Sequence, residues 1–192
     1  MDGALPAPRL DRAVSLAEAL ERRASAREFD DRPLDLPTLS GVLWAACGVN
    51  RPATGHRTAP SARNWQEVDV YVVAASGIAR YDAARRALVH VADGDHRAAT
   101  GLQDFAARAG ANLVFVADYA RMADASRESR DLYAAIDTGA MAQDVYLYCA
   151  AAGLACVVRG LVDREGVARL LRLAPAQRVI AAQSVGYPAA EA

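Results

Sequence analysis

The chain has 192 residues, of which 22 are basic, 23 are acidic and 53% are hydrophobic. This length and apolar content fit one domain with a substantial core and exclude a disordered chain. The balanced charge argues against a dedicated nucleic-acid binder, which would show a clustered basic excess.

The first half of the chain predicts two helices, a long loop and a strand. Residues 16–23 and 37–47 have apolar side chains at helical spacing, and a glycine follows the second segment. Residues 49–64 are rich in Pro, Gly, Ser and Asn, which predicts a loop of a length typical of functional or mobile segments. Residues 68–75 form a β-branched run that predicts a central strand.

The second half mixes helices and strands without regular alternation. Short strands are predicted at 80–82 and 88–91, a helix at 95–108 and a strand at 112–117. A long helix at 132–152 is apolar on most sides, which favours burial by a partner subunit. A strand at 154–158, a helix at 163–173 and a strand at 178–185 complete the pattern. Together they predict an α+β fold, a sheet flanked by helices.

We expect one domain over residues 1–192, with 1–14 as a flexible arm or an arm that wraps a partner. The first residues lack the apolar core of a signal peptide. The apolar stretch 141–158 is interrupted by Gln143 and Asp144, which argues against a membrane span. Cys47, Cys149 and Cys156 lack CxxC spacing and indicate reduced thiols. A cytoplasmic protein that binds neither nucleic acid nor membrane is therefore expected. No metal site is predicted, because the three histidines show no ligand spacing with the cysteines.

Residues 22–29, which we call the basic turn, follow the first predicted helix. Arg22, Arg23, Ser25 and Arg27 lie within six positions. Guanidinium groups offer bidentate, charge-assisted bonds and serine a short donor, which suits a phosphate. The same composition also fits an ordinary solvated basic turn.

Two later segments carry further polar and backbone donors. Residues 58–66, the asparagine loop, include Pro60, Ser61 and Asn64 and can lie along a polar heterocycle or a polyol. The same residue types are favoured in plain turns. Residues 158–160, the strand end, join Val158 to Arg159 and Gly160, and this glycine permits close approach of a flat ligand. A structural β-turn is the other interpretation.

In order and spacing, these segments resemble the nitroreductase family of FMN enzymes. The basic turn is similar to the opening motif of that family, the asparagine loop to its Pro-Ser-x-x-Asn-x-Gln loop, and residues 139–188 to its second half. The resemblance covers about residues 15–188. It implies a nitroreductase-like fold, with a central, mostly antiparallel sheet flanked by helices, in an intertwined homodimer.

The resemblance also implies an FMN site built across the dimer interface. Arg23, Ser25 and Arg27 of one copy would hold the phosphate and the N1–O2 edge of the flavin, with Arg27 as an electrostatic stabiliser of the reduced cofactor. Pro60, Ser61 and Asn64 would reach the same FMN from the partner. Gln103 would bond the pyrimidine ring, and Val158, Arg159 and Gly160 would lie near flavin N5.

The chain departs from the family pattern at two places. It ends without the basic tail that often adds a phosphate contact, a part that Arg22, Arg51 or Arg57 would have to take. Glu67 and Val68 stand where Pro-Trp is usual. In its short length the chain is similar to the SagB-type dehydrogenases, which oxidise peptide azolines with FMN.

The implied activity is hydride transfer through flavin N5, with NAD(P)H as donor and nitro- or quinone-like small molecules as acceptors in a ping-pong cycle. Because the cofactor carries the reaction, no side-chain acid or base is expected to be catalytic. One alternative is a SagB-like FMN dehydrogenase or oxidase of a peptide or natural product. Another is an FMN-binding protein without turnover.

Overall fold

The computed structural model describes residues 1–10 and 13–190. The α-helices in these ranges are α1 (Leu16–Arg22), α2 (Leu36–Cys47), α3 (Arg127–Ala152) and α4 (Arg164–Leu170). The strands are β1 (Gly3–Ala4), β2 (Val49–Arg51), β3 (His56–Arg57), β4 (Val68–Ala74), β5 (Gly77–Asp82), β6 (Ala87–Asp93), β7 (Ala111–Asp118), β8 (Ala155–Arg159) and β9 (Gln177–Gly186). Short 3-10 helices lie at Ala62–Asn64, Arg97–Thr100, Asp104–Ala107 and Tyr119–Met122.

A seven-stranded antiparallel sheet forms the centre of the fold. Its strand order is β1-β6-β5-β4-β7-β9-β8, so β8 and β1 are the edges. In the middle, Val72 of β4 lies opposite Leu113 of β7, and Val114 lies opposite Ala182 of β9. Most of β7 is buried on both faces, because helices cover both. The predicted α+β fold with a mostly antiparallel sheet is confirmed.

Helices pack on the two faces of the sheet in separate cores. On one face, α2 and α3 contribute Leu43 and Val145, which pack against Phe115. On the other face, Val167 of α4 packs with Val116. The helices begin at side-chain caps, and α3 ends at Gly153 in the left-handed region (φ 66°), which favours glycine. None of the described helices is long and apolar enough to cross a membrane.

The predicted helix at 95–108 is wrong. The segment instead forms two 3-10 helices separated by an extended Gly101 (φ −171°). The Thr100 carbonyl accepts a bond from the Arg159 guanidinium at 2.9 Å and its hydroxyl bonds the Arg97 carbonyl, so tertiary bonding outweighs the helical pattern. The predicted loop at 49–64 contains the β2–β3 hairpin, and α3 begins five residues before the predicted start at 132.

The first ten residues lie along the surface of their own chain. Strand β1 pairs with β6, and Leu5 is buried. The Pro6 carbonyl accepts a bond from Ser40 Oγ at 2.6 Å, and the Arg9 carbonyl from Tyr148 Oη at 2.8 Å. Residues 11 and 12 of the proposed arm lie outside the described ranges, and a contact with a second copy stays a prediction.

Candidate active site

The basic turn lies against edge strand β8 and helix α3. Ala26 N donates to the Cys156 carbonyl at 2.9 Å. The hydroxyl oxygens of Ser25 and Tyr146 are 2.9 Å apart, and Val158 N donates to the same Tyr146 oxygen at 2.8 Å. Tyr146 therefore joins the basic turn to the strand end, two of the three predicted segments.

The three arginines of the basic turn differ in their surroundings. Arg22 forms an exposed ion pair with Glu18, one helical turn earlier. The Arg23 guanidinium lies 5.4 Å from the centre of the Tyr146 ring. Arg27 is exposed and makes no ion pair or side-chain hydrogen bond with the described residues. The turn therefore presents a cation whose donors are available to an anion.

The asparagine loop is fixed by two buried carboxyl groups. Ser61 Oγ donates to Glu67 Oε2 at 3.0 Å and accepts from Gln66 N at 2.8 Å. Ala62 N donates to Asp137 Oδ2 of α3 at 2.9 Å. The loop is thus held between the start of β4 and the middle of α3.

This loop also holds an unusual backbone conformation. Arg63, Asn64 and Gln66 have φ values of 51°, 55° and 49°, in the left-handed region that non-glycine residues rarely adopt. Each such residue costs on the order of 1 kcal/mol, and such strain is concentrated at functional sites. Pro60 and Asn64 are exposed, so the loop presents them to a ligand or to a second copy.

The two carboxyl groups beside the loop share one environment. Glu67 is fully buried and Asp137 is 4% exposed. Burial raises the pKa of Glu67, and the nearby negative charge of Asp137 raises it further. Both residues line a cavity of about 360 Å³ that Arg51 and Arg57 also line. Glu67 Oε1 has no hydrogen-bond partner among the described residues.

Within one chain, the asparagine loop and the basic turn do not meet. The loop is attached to α3 at Asp137 and the turn at Tyr146, nine residues later. At 1.5 Å and 100° per residue, these positions are roughly 13 Å apart along the helix and on opposite sides of it. The structure therefore brings the basic turn to the strand end but leaves the loop on another surface.

Arg159 of the strand end points into the protein, where it is 3% exposed. Its guanidinium donates to the Thr100 carbonyl at 2.9 Å and to Asn112 Oδ1 at 2.9 Å. Burial lowers its pKa to about 10, which leaves it positively charged at neutral pH. The side chains of Arg159 and Gln103 flank Gly101, where an added Cβ would clash with the guanidinium and lie 2.9 Å from Gln103 Oε1.

In the part of the chain that the structure describes, Gln103 has an acceptor without a partner, and Gly160 leaves room for a ligand. Gln103 Oε1 is buried and has no donor within the described ranges. A Cβ built on Gly160 would meet no atom within 4 Å, so the strand end is open to a close, flat neighbour. Val158, beside it, is 40% exposed.

The sequence motifs do not identify Tyr146, Glu67 or Asp137 as polar parts of this site. Tyr146 and Asp137 lie in a helix whose apolar pattern dominates, and Glu67 departs from the family motif. The one signal for Glu67 is its position, a carboxylate directly before a buried strand. Their contacts depend on tertiary packing, which spacing along the chain does not encode.

Comparison with known proteins identifies the family. The model of the nitroreductase family matches residues 20–187. A Methanocaldococcus jannaschii protein described as a nitroreductase is 30% identical over 170 residues, covering 83% of this chain and 85% of its own. A solved Ralstonia eutropha structure, also described as a nitroreductase, is 42% identical with a TM-score of 0.91 and covers 97% of this chain and 90% of its own.

More distant structures share the fold. NADPH:FMN oxidoreductase from Vibrio harveyi, complexed with NAD+, has a TM-score of 0.68 at 24% identity, over 91% of this chain and 69% of that one. A chain of the Escherichia coli microcin synthetase McbBCD complex, with truncated pro-MccB17 bound, has a TM-score of 0.77 at 19% identity, over 96% and 77%. The chain therefore belongs to the nitroreductase family and is an oxidoreductase.

Proposed function

We propose that two copies of this chain form a homodimer with two FMN sites, each made from the basic turn and strand end of one copy and the asparagine loop of the other. The observation that carries the proposal is the separation of these segments on α3. One chain presents the two halves on opposite sides of the helix, and a twofold axis beside α3 places each half next to its complement.

An apolar face of α3 supports the dimer. Leu132 and Ile136 are 56% and 54% exposed, and Gly139 and Gln143 continue the same face at helical spacing. Large apolar side chains that are exposed together on one helix face mark an interface. We place the partner subunit on this face.

The groups around the strand end fit an FMN. Arg23, Ser25 and Arg27 supply cationic and hydroxyl donors for a phosphate and for the flavin N1–O2 edge. The orphan acceptor Gln103 Oε1 needs a donor, and the pyrimidine N3–H of a flavin is one. The open backbone at Gly160 accepts a flat ring. The backbone of Val158 and Arg159 completes this wall, while the Arg159 side chain points into the protein.

Pro60, Ser61 and Asn64 are proposed to contact the same FMN from the partner. Their loop is held in a strained conformation by Glu67 and Asp137, which fixes its shape before the ligand arrives. Such preorganisation lowers the entropy cost of binding.

An FMN held by these residues would supply hydride transfer at N5 between NAD(P)H and a nitro- or quinone-like acceptor. The residues of this chain bind the cofactor, orient it and supply positive charge. We propose that Arg27 contributes such charge at the N1–O2 edge. With donor and acceptor using one cleft in turn, the kinetics would be ping-pong.

A visible spectrum of the purified protein, followed by anaerobic mixing with NADH and with NADPH, tests the proposal. We expect the absorption bands of bound flavin, one FMN per chain, and bleaching by at least one nicotinamide. Oxidation by an added nitroaromatic or quinone should restore the colour. A colourless protein that does not bind added FMN would refute the assignment.

A second candidate function is oxidation of a peptide or natural product by an FMN dehydrogenase. The fold that this chain shares with a chain of the microcin synthetase complex, which has truncated pro-MccB17 bound, favours it. Its signature is bound FMN that neither NADH nor NADPH bleaches but that an azoline peptide reduces. Bound FMN that no such donor reduces would indicate a flavin-binding protein without turnover.

A further inference from the structure

Among the residues that the structure describes, the Arg159 guanidinium is a buried charge without an acidic partner. Its polar contacts are neutral: the Thr100 carbonyl at 2.9 Å, Thr100 Oγ1 at 3.2 Å and Asn112 Oδ1 at 2.9 Å. Its Nε has no partner, and no carboxylate in the described parts of the chain forms an ion pair with it. An unpaired buried charge destabilises a fold, so its presence calls for a reason.

The surroundings orient acceptors toward this cation. Asn112 Nδ2 donates to the Ala106 carbonyl at 2.8 Å, which turns the amide oxygen toward the guanidinium. Ser184 Oγ donates to the same oxygen at 2.6 Å. These contacts fix the position of the charge but do not neutralise it.

The charge lies within one side-chain length of the strand end. Arg159 is flanked by Val158, which is bonded to Tyr146, and by the open backbone of Gly160. Salt screens a buried charge less than an exposed one, so this charge can act at the strand end over the length of its own side chain. Phe105 lies over the guanidinium at 6.0 Å and limits its contact with water.

We propose that the Arg159 guanidinium acts through space, without touching the cofactor, as a fixed positive charge that favours reduced over oxidised FMN in this protein. The inference rests on the FMN site of the proposed function. Hydride transfer from a nicotinamide brings two electrons and one proton, so FMN gains one negative charge and the nicotinamide one positive charge. A fixed cation stabilises that negative charge and makes reduction more favourable.

Arg27 is the second cation that the proposed site offers. In the single chain its charge is exposed to solvent and salt, whereas the Arg159 charge is already enclosed by protein. The contribution of Arg159 to the midpoint potential of bound FMN should therefore add to that of Arg27.

Substitution of the charge tests the proposal. In Arg159→Gln with bound FMN, the preference for reduced over oxidised FMN should fall about tenfold, a drop of about 30 mV in the two-electron midpoint potential. Ser184→Ala is the matched control, because it removes a bond from the same cluster without changing charge. It should leave the potential unchanged. Equal potentials in wild type and Arg159→Gln, or an equal drop in Ser184→Ala, would overturn the proposal.

A measurement on the wild-type protein covers the case in which Arg159→Gln does not fold. The midpoint potential of bound FMN is followed between pH 5 and pH 8 beside free FMN. When two electrons are taken up with one proton, the midpoint potential changes by about 30 mV per pH unit. A cation that keeps reduced FMN anionic should extend this slope to a lower pH than in free FMN. A slope that changes at the same pH in both samples overturns this proposal alone. A protein that binds no FMN overturns the proposed function as well.

Discussion

Among single residues, Tyr146 connects the basic turn to the strand end. Its oxygen accepts from Val158 N, so its own proton is available to Ser25 Oγ. In that arrangement the Ser25 proton is free for a third group. A phosphate oxygen is the partner that the proposed function supplies.

Tyr146→Phe should therefore weaken FMN binding by about fivefold, the effect of losing one hydrogen bond of about 1 kcal/mol. Fluorescence titration of apoprotein with FMN measures this. Tyr148→Phe is the control on the same helix, because its hydroxyl bonds the Arg9 carbonyl away from the turn. If both variants bind FMN as the wild type does, Tyr146 has no part in the site.

Glu67 gives the protein a specific dependence on pH. Burial and Asp137 raise the pKa of Glu67 above its usual 4.5, so the folded state holds its proton more tightly than the unfolded state does. Its contribution is fully present below about pH 4.5 and is lost as the pH rises through the raised pKa. The stability of the wild type should fall over that window relative to a variant without this carboxyl.

Glu67→Gln is that variant, because its amide can still accept from Ser61 and can donate to Asp137. Urea unfolding of the apoproteins should give equal stability near pH 4 and a more stable variant at pH 8. Glu21→Gln, at an exposed site on α1, should follow the wild type at both pH values. A wild type that stays as stable as Glu67→Gln at pH 8 would contradict the assigned direction.

At the scale of elements, the side-chain pattern predicted the strands whose formation depends on their local sequence. The β-branched run at 68–75 is β4, and the apolar run at 112–117 lies within β7, because their side chains are buried on both faces. The segment 95–108 failed because the Thr100 carbonyl is used by Arg159, 59 residues away. The Tyr146 link and the Glu67–Asp137 pair were missed for the same reason: they join distant segments.

The asparagine loop depends on one residue of α3 for its position. Asp137→Ala removes the acceptor of Ala62 N and should detach the loop from the helix. We expect faster hydrogen exchange at the Ala62 amide and a loss of about 1–3 kcal/mol of stability from the unpaired buried donor.

Asp131→Ala is the control, because Asp131 lies on α3 but bonds Tyr119, not the loop. It should leave exchange at Ala62 and the affinity for FMN unchanged, whereas Asp137→Ala should weaken FMN binding. Wild-type exchange and FMN affinity in Asp137→Ala would show that the loop does not need this anchor.

At the scale of the whole molecule, the fold separates two tasks. The antiparallel sheet and its two cores place the basic turn, Gln103 and the strand end in one region of the chain. Helix α3 carries the asparagine loop on its opposite side. Under the proposed function, cofactor binding and dimer formation are therefore coupled, and each stabilises the other by mass action.

Ile136→Asp tests this coupling, because it places a charge in the centre of the exposed apolar face of α3. We expect sedimentation to show mostly monomer and the protein to lose bound FMN, while its circular dichroism stays close to that of the wild type. Leu36→Asp changes an equally exposed leucine at the start of α2, where a carboxylate suits the helix dipole, and it should remain a yellow dimer. A monomeric Ile136→Asp that keeps one FMN per chain would show that a single subunit builds the whole site, because a site shared across the interface loses the contacts of the asparagine loop when the subunits part.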